Sequence, residues 1–254
     1  MNAGPREWDA ETYDRVSDPQ FSWGIEVLER LELSGTESVI DAGAGSGRVT
    51  ERLIGRLPGG RVLAIDGSQA MIDKARENLG DAADYAVMDL AELEVSDPVD
   101  VVFSTATFHW IPDHDNLFRR VHAALKPGGR LHAQCGGAGN VARHAQAIGT
   151  VASRPDFAEH YKEMAMMWNF SSAEETAEQL RNAGFEEIDT WLEPKPLTPP
   201  EPREFMRTVT LGPHLQLLPE ELRETFIDQV VAEMDEPVTL DYVRLNMQAR
   251  RPAT

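Results

Sequence analysis

Residues 39–47 read Val-Ile-Asp-Ala-Gly-Ala-Gly-Ser-Gly, and nineteen residues beyond Gly47 the chain reads Leu-Ala-Ile-Asp66-Gly-Ser. A short apolar run, a glycine turn, a helix-length spacer, a second apolar run and a terminal acid describe one β-α-β unit. Gly43, Gly45 and Gly47 permit backbone angles and close approaches that a Cβ forbids. An acid closing the second strand accepts hydrogen bonds from the hydroxyls of a ribose. Together these features predict a pocket for an adenosine-containing cofactor, and leave open which one.

The alternation continues along the chain. After the turn, Val49, Leu53, Ile54 and Leu57 share a helical face, and Pro58-Gly59-Gly60 ends that helix. Residues 61–66 form the second strand, and Ser68 caps a helix that buries Met71, Ile72, Ala75 and Leu79. Residues 85–89 and 99–104 are the third and fourth strands, residues 113–125 a helix, and residues 130–135 a fifth strand. Such alternation argues for a parallel, doubly wound α/β sheet. Further on, Ser172-Ala-Glu-Glu175 is a capping box for a helix to about residue 182. Strands are expected at 187–192 and 240–247, with a helical insertion at 194–236 between them and the whole of 1–254 forming one domain.

Composition narrows the partners. With 24 Lys and Arg against 43 Asp and Glu, the net charge is −19. Nucleic acid and anionic membrane surfaces need clustered basic residues and are disfavoured. The lone Cys135 allows no internal disulfide and no multi-cysteine metal site, and fits a reducing compartment. The charged first twenty residues leave no room for an apolar signal core, and no run approaches eighteen apolar residues. A cytoplasmic protein, monomer or homodimer, is expected. His109 and His114 with Asp113 and Asp115 also fit an acidic helix start, so no metal is expected.

These residues resemble the class I S-adenosylmethionine (SAM)-dependent methyltransferases. The run from Asp41 to Gly47 looks like their first motif, and Asp66 looks like their ribose-binding acid. Met88-Asp89-Leu90 resembles the segment that meets the adenine, and Leu125-Lys-Pro-Gly-Gly-Arg-Leu131 the turn before their fifth strand. Residues 106–115 and Trp8-Asp-Ala-Glu-Thr-Tyr13 resemble the trans-aconitate methyltransferase branch, which methylates small organic acids and related metabolites. The resemblance implies a Rossmann-like, seven-stranded sheet whose last strand is antiparallel, with the helical insertion before it. It also implies that residues 1–36 cover the site and that 194–236 shape the acceptor pocket.

On this reading the cofactor residues are Asp41, Gly43, Ala44, Gly45, Asp66, Gly67, Met71, Asp89, Leu90, Thr105, Ala106 and Trp23. Several have plainer roles open to them. Asp41 organises the turn amides as readily as it touches the cofactor, Asp89 fits a solvated strand end, and Met71 fits a helix core. His109 and Tyr13 are the candidate catalytic residues, Tyr13 and Trp23 through their rings near a sulfonium. His109 is also a satisfied structural residue in the commoner case. Trp110, Arg143 and Arg207 are acceptor-binding candidates against core or surface roles, and His144 is a weaker one. The expected reaction is SAM-dependent methyl transfer to a small-molecule acceptor, with a carboxylate or hydroxyl oxygen leading. A carboxylate is already ionised near neutrality and needs no base. The alternatives are an NAD(P)-dependent oxidoreductase, disfavoured by Gly-x-Gly-x-Gly spacing, and a SAM-binding protein without turnover.

Overall fold

The computed structural model describes residues 18–162 and 168–254. Tyr13 and Trp8 lie outside the described residues. Helix α1 (Asp18–Arg30) leads into β1 (Ser38–Ala42), α2 (Arg48–Gly55), β2 (Arg61–Asp66), α3 (Gln69–Leu79) and β3 (Asp84–Val87). Then follow β4 (Val99–Thr105), α4 (His114–Ala124) and β5 (Leu125–Gly136). The remainder comprises α5 (Ala142–Ala152), α6 (Ala158–Tyr161), α7 (Ala173–Asn182), β6 (Glu186–Pro194), α8 (Pro202–Phe205), α9 (Gly212–Gln216), α10 (Glu220–Ala232) and β7 (Val243–Arg250).

The seven strands form one sheet in the order β3-β2-β1-β4-β5-β7-β6. Pairings from β3 through β5 are parallel, while β7 runs antiparallel to both β5 and β6. Strand order reverses between β1 and β4, where doubly wound folds place ligands beyond the carboxyl ends of the strands. The continuous apolar runs of β1 and β4 are what burial on both faces demands. One face packs Val39, Val101 and Phe103 against Val27, Leu28 and Leu31 of α1 and Leu53 of α2. The other packs Ile40, Ile65 and Val102 against Leu117, Phe118 and Val121 of α4 and Leu180 of α7.

Local signals act as their chemistry requires. The Ser68 hydroxyl accepts from Met71 N at the start of α3, and Ser172 accepts from Glu175 N at the start of α7. The late segment between β6 and β7 is helical, as expected, and includes a π-helical turn at Met206–Thr210. It packs Met206, Leu211, Leu215, Phe226 and Val230 on Ile148 and Val151 of α5 and on Phe157. Three boundaries differ from expectation. The fifth strand begins at Leu125, because Leu125 already pairs with Val99 before the turn residues intervene. The third ends at Val87, because Asp89 turns the chain by capping a 3-10 turn over Leu90–Glu92. The last strand begins at Val243, not 240, because Leu240 is taken by an isolated bridge to Leu197.

Candidate functional site

The glycine turn joins β1 to α2 at the switch point. Gly43 N and Ala44 N both donate to Ile65 O, at 2.7 and 2.9 Å, which pins the turn across the end of β2. Gly43, at φ +86°, has no space for a side chain, since a Cβ would fall 2.5 Å from Thr107 Cβ and nearer still to its hydroxyl and methyl. Gly45 is the opposite case. At φ +55° a Cβ there would meet no atom within 4 Å, so the crest of the turn opens outward as a cradle.

Asp66 closes that cradle. Its two carboxylate oxygens accept Gly45 N at 3.0 Å and Ser68 N at 2.9 Å. Met88 N donates to Asp66 O at 2.9 Å, which brings residues 88–90 beside the acid. Asp89 accepts from Ala91 N at 2.9 Å, so it caps a turn at the edge of the same site. Gly67 is half-buried there, whereas Met71 and Leu90 are buried. Leu90 belongs to the core beside Ile65, so its side chain supports the floor of the site.

Asp41 is buried and accepts the Thr50 hydroxyl at 2.7 Å, tying the end of β1 to α2. Burial pushes its carboxyl up to about 7; the Thr50 hydrogen bond pulls downward and the nearby Asp66 charge adds to the rise. The hydrogen-bond partner of its carboxylate is this hydroxyl, whereas the Gly43 and Ala44 amides of the turn go to Ile65 O.

The loop after β4 forms the facing wall. Thr105 and Ala106 are half-buried, and Ala106 holds φ +56°, a left-handed conformation uncommon for a residue with a Cβ. Its N–H donates to Gln134 O at 2.7 Å, which fixes that conformation. Thr107 fills the space beneath Gly43, its hydroxyl 2.9 Å from Thr105 O. Helix α1 passes directly above: a Cβ at Gly24 would stand 3.5 Å from the Thr105 hydroxyl and 2.8 Å from Val49. Trp23, next to it, is buried against Tyr242 at a centroid distance of 5.0 Å.

His109 is buried on a 3-10 turn, and its Nδ1 accepts Gly136 N–H at 3.2 Å. Burial, then the charges of Arg244 and His114, hold its pKa well below the ordinary histidine value. The ring is therefore neutral, with its proton on Nε2, which leaves Nε2–H able to donate. Its faces meet Trp110 at 5.2 Å and Phe170 at 5.7 Å, and Trp110 meets Trp168 at 5.9 Å. Trp110 thus belongs to an aromatic wall beside His109.

Other acceptor-binding candidates are placed elsewhere. Arg143 is exposed on the first turn of α5, its backbone N–H donating to Asp241. Arg207 is taken up by Glu224 and Glu204 on the insertion surface. His144 is fully buried on α5 with both ring nitrogens unpaired and its pKa depressed to about 3, mainly by burial. Sequence reasoning missed Thr107, Gln134, Phe170 and Arg244. Thr107 had a local signal, since it stands next to two flagged residues.

Among the described residues no cluster of three metal-ligating side chains exists, and no helix is long and apolar enough to cross a membrane. The methyltransferase-domain family matches residues 39–129. The trans-aconitate 2-methyltransferase of Methylobacterium nodulans is 32% identical over 186 residues, spanning 73% of this chain and 67% of that protein. The Paracidovorax citrulli enzyme of the same name is 38% identical over 130 residues, half of either chain. The chain thus spans 67% of the first relative's length and about half of the second's. Among solved structures, Haemonchus contortus phosphoethanolamine N-methyltransferase 2 with S-adenosyl-L-methionine shares the fold at TM-score 0.64 and 21% identity, covering 96% of this chain and 56% of that one. A Galdieria sulphuraria protein described as a putative sarcosine dimethylglycine methyltransferase does so at TM-score 0.60 and 14% identity, covering 98% and 92%.

Proposed function

We propose, from the premise that the chain belongs to the class I SAM-dependent methyltransferases, that it esterifies a carboxylate of a small organic acid. The outward-opening crest at Gly45 and the acid beside it fit SAM. Asp66 would hold the ribose, Gly43, Ala44 and Gly45 the amino-acid end, and Asp89 with Leu90 the adenine. When bound, SAM supplies a methyl carbon on a positively charged sulfur, so a nucleophile attacks in line while the carbon–sulfur electron pair returns to sulfur.

The observation that carries the choice of acceptor is the state of His109. Its Nδ1 is occupied by the Gly136 amide and its Nε2 bears the proton, so it has no lone pair to offer as a base. An acceptor already ionised at neutral pH needs none. His109 then donates a hydrogen bond and orients the acceptor, while Trp110, Trp168 and Phe170 exclude water around it. Alignment of this kind is worth several kcal/mol in bimolecular reactions. The relatives named for trans-aconitate support the same acceptor class.

The test is transfer of labelled methyl from SAM to a panel containing di- and tricarboxylic acids, trans-aconitate among them, with hydroxyl and amine acceptors. The expected product is an ester from which alkali releases labelled methanol. An alkali-stable product from an alcohol or amine, with no ester, overturns the proposal.

A further inference from the structure

Asp41 is the one buried carboxylate among the described residues, at 2% exposure. It accepts a single neutral donor, the Thr50 hydroxyl of α2, and no basic side chain among the described residues acts on its charge. The register of β1 on β2 sets Asp41 across from Ala64 and Ala42 across from Ile65, so Asp66 comes level with the first residue of the glycine turn. On the other side β4 presents Phe103. The charged group that faces Asp41 is therefore Asp66, whose charge adds to the rise that burial begins. Two carboxylates thus meet at the carboxyl edge of β1 and β2. Holding the turn does not explain Asp41, because the Gly43 and Ala44 amides go to Ile65 O.

Taking a carboxylate out of water without a cation is unfavourable, and one hydroxyl offsets only part of that. The ligand of this turn carries the missing charge. At neutral pH SAM has a sulfonium, an ammonium and a carboxylate, and is a net cation. Once the methyl has left, the sulfur is a neutral thioether and the net charge is gone. In a low-dielectric setting a nearby positive charge favours the ionised form of a buried carboxyl group, and a neutral ligand does so far less.

We infer that Asp41 is a specificity-determining residue for the charge of the cofactor, favouring SAM over S-adenosylhomocysteine by releasing a proton to solvent as SAM binds and recovering one after methyl transfer. The balance closes. The carbon–sulfur electron pair returns to sulfur, the sulfonium charge disappears, and the Asp41 carboxylate takes back one proton from solvent. The spent product is then held less tightly than the donor that must replace it. This inference rests on the placement of SAM at the glycine turn, and is independent of the acceptor.

Calorimetric titration of the native protein with SAM and with S-adenosylhomocysteine, each in two buffers of different ionisation enthalpy, counts the protons exchanged on binding. Near pH 6.5 SAM is expected to release more protons than S-adenosylhomocysteine. The ratio of the two affinities should rise about fivefold in favour of SAM between pH 5.5 and 7.5, because only the ionised carboxylate tells the ligands apart by charge. Asp41→Asn, which keeps an acceptor for Thr50, should flatten that ratio and abolish the difference in protons. Thr50→Val, which removes the hydroxyl that supports ionisation, should move the rise to higher pH. Equal proton release for the two ligands, a ratio that stays flat with pH, or a rise that survives Asp41→Asn overturns the inference. Failure of the native protein to bind either ligand would overturn the placement of SAM itself, and this inference with it.

Discussion

Gly43→Ala tests the turn most severely. The residue sits at φ +86°, which costs an L-residue about 1–2 kcal/mol. The new methyl would also fall 2.5 Å from Thr107 Cβ and nearer to Oγ1 and Cγ2, an overlap costing about 1–3 kcal/mol. The sum is a loss of about 2–5 kcal/mol. The two parts are separable, because Thr107→Gly removes the three nearest atoms and leaves φ untouched. In the double-mutant cycle the interaction energy should be favourable by about 1–3 kcal/mol, with about 1–2 kcal/mol of backbone strain remaining. Urea unfolding of the four proteins, followed by tryptophan fluorescence, measures all the terms. An interaction energy within about 0.5 kcal/mol of zero refutes the steric account.

Two further outcomes follow from the buried ionisable groups. Asp41 ionises near 7 in the fold, against about 4 in an unfolded chain. Between those values the native state keeps a proton the unfolded state has lost, so Asp41 lowers stability as pH rises toward 7. Compared with Asp41→Asn, the native protein should lose about 2–4 kcal/mol between pH 4.5 and 7.5 in urea unfolding, and parallel pH profiles would contradict this. His109→Gln keeps a donor, so kcat/KM should fall less than about tenfold and keep the shape of its pH profile, whereas losing a general base costs about 10²–10⁴. Steady-state rates between pH 5.5 and 9 decide between them.

The order of strands through β5 and the cofactor turn were legible because their signals are local. Glycines at positive φ, an acid at a strand end and apolar runs are written in consecutive residues. The buried surroundings of the loop after β4 were not, because their contacts join distant segments: Gln134 meets Asn246 across 112 positions and Thr107 lies 64 positions from Gly43. Arg207 and Arg244 show the limit clearly. Both are isolated arginines in the sequence, yet Arg207 turns to Glu224 on the surface while Arg244 is buried on β7. The one available signal was that Arg244 and Asn246 alternate with the core residues Leu245 and Met247 on the same strand. Helix α5 also escaped, although His144, Ala147, Ile148 and Val151 are buried at helical spacing.

The central claim is that the acid closing the glycine turn holds SAM. Its most direct test is calorimetric titration of SAM into the native protein and Asp66→Ala, with urea unfolding as a check that the variant folds. Losing two hydrogen bonds to a carboxylate, at about 1.5–3 kcal/mol each, should weaken binding by roughly a hundredfold or more. SAM affinity unchanged in a folded Asp66→Ala protein would contradict it.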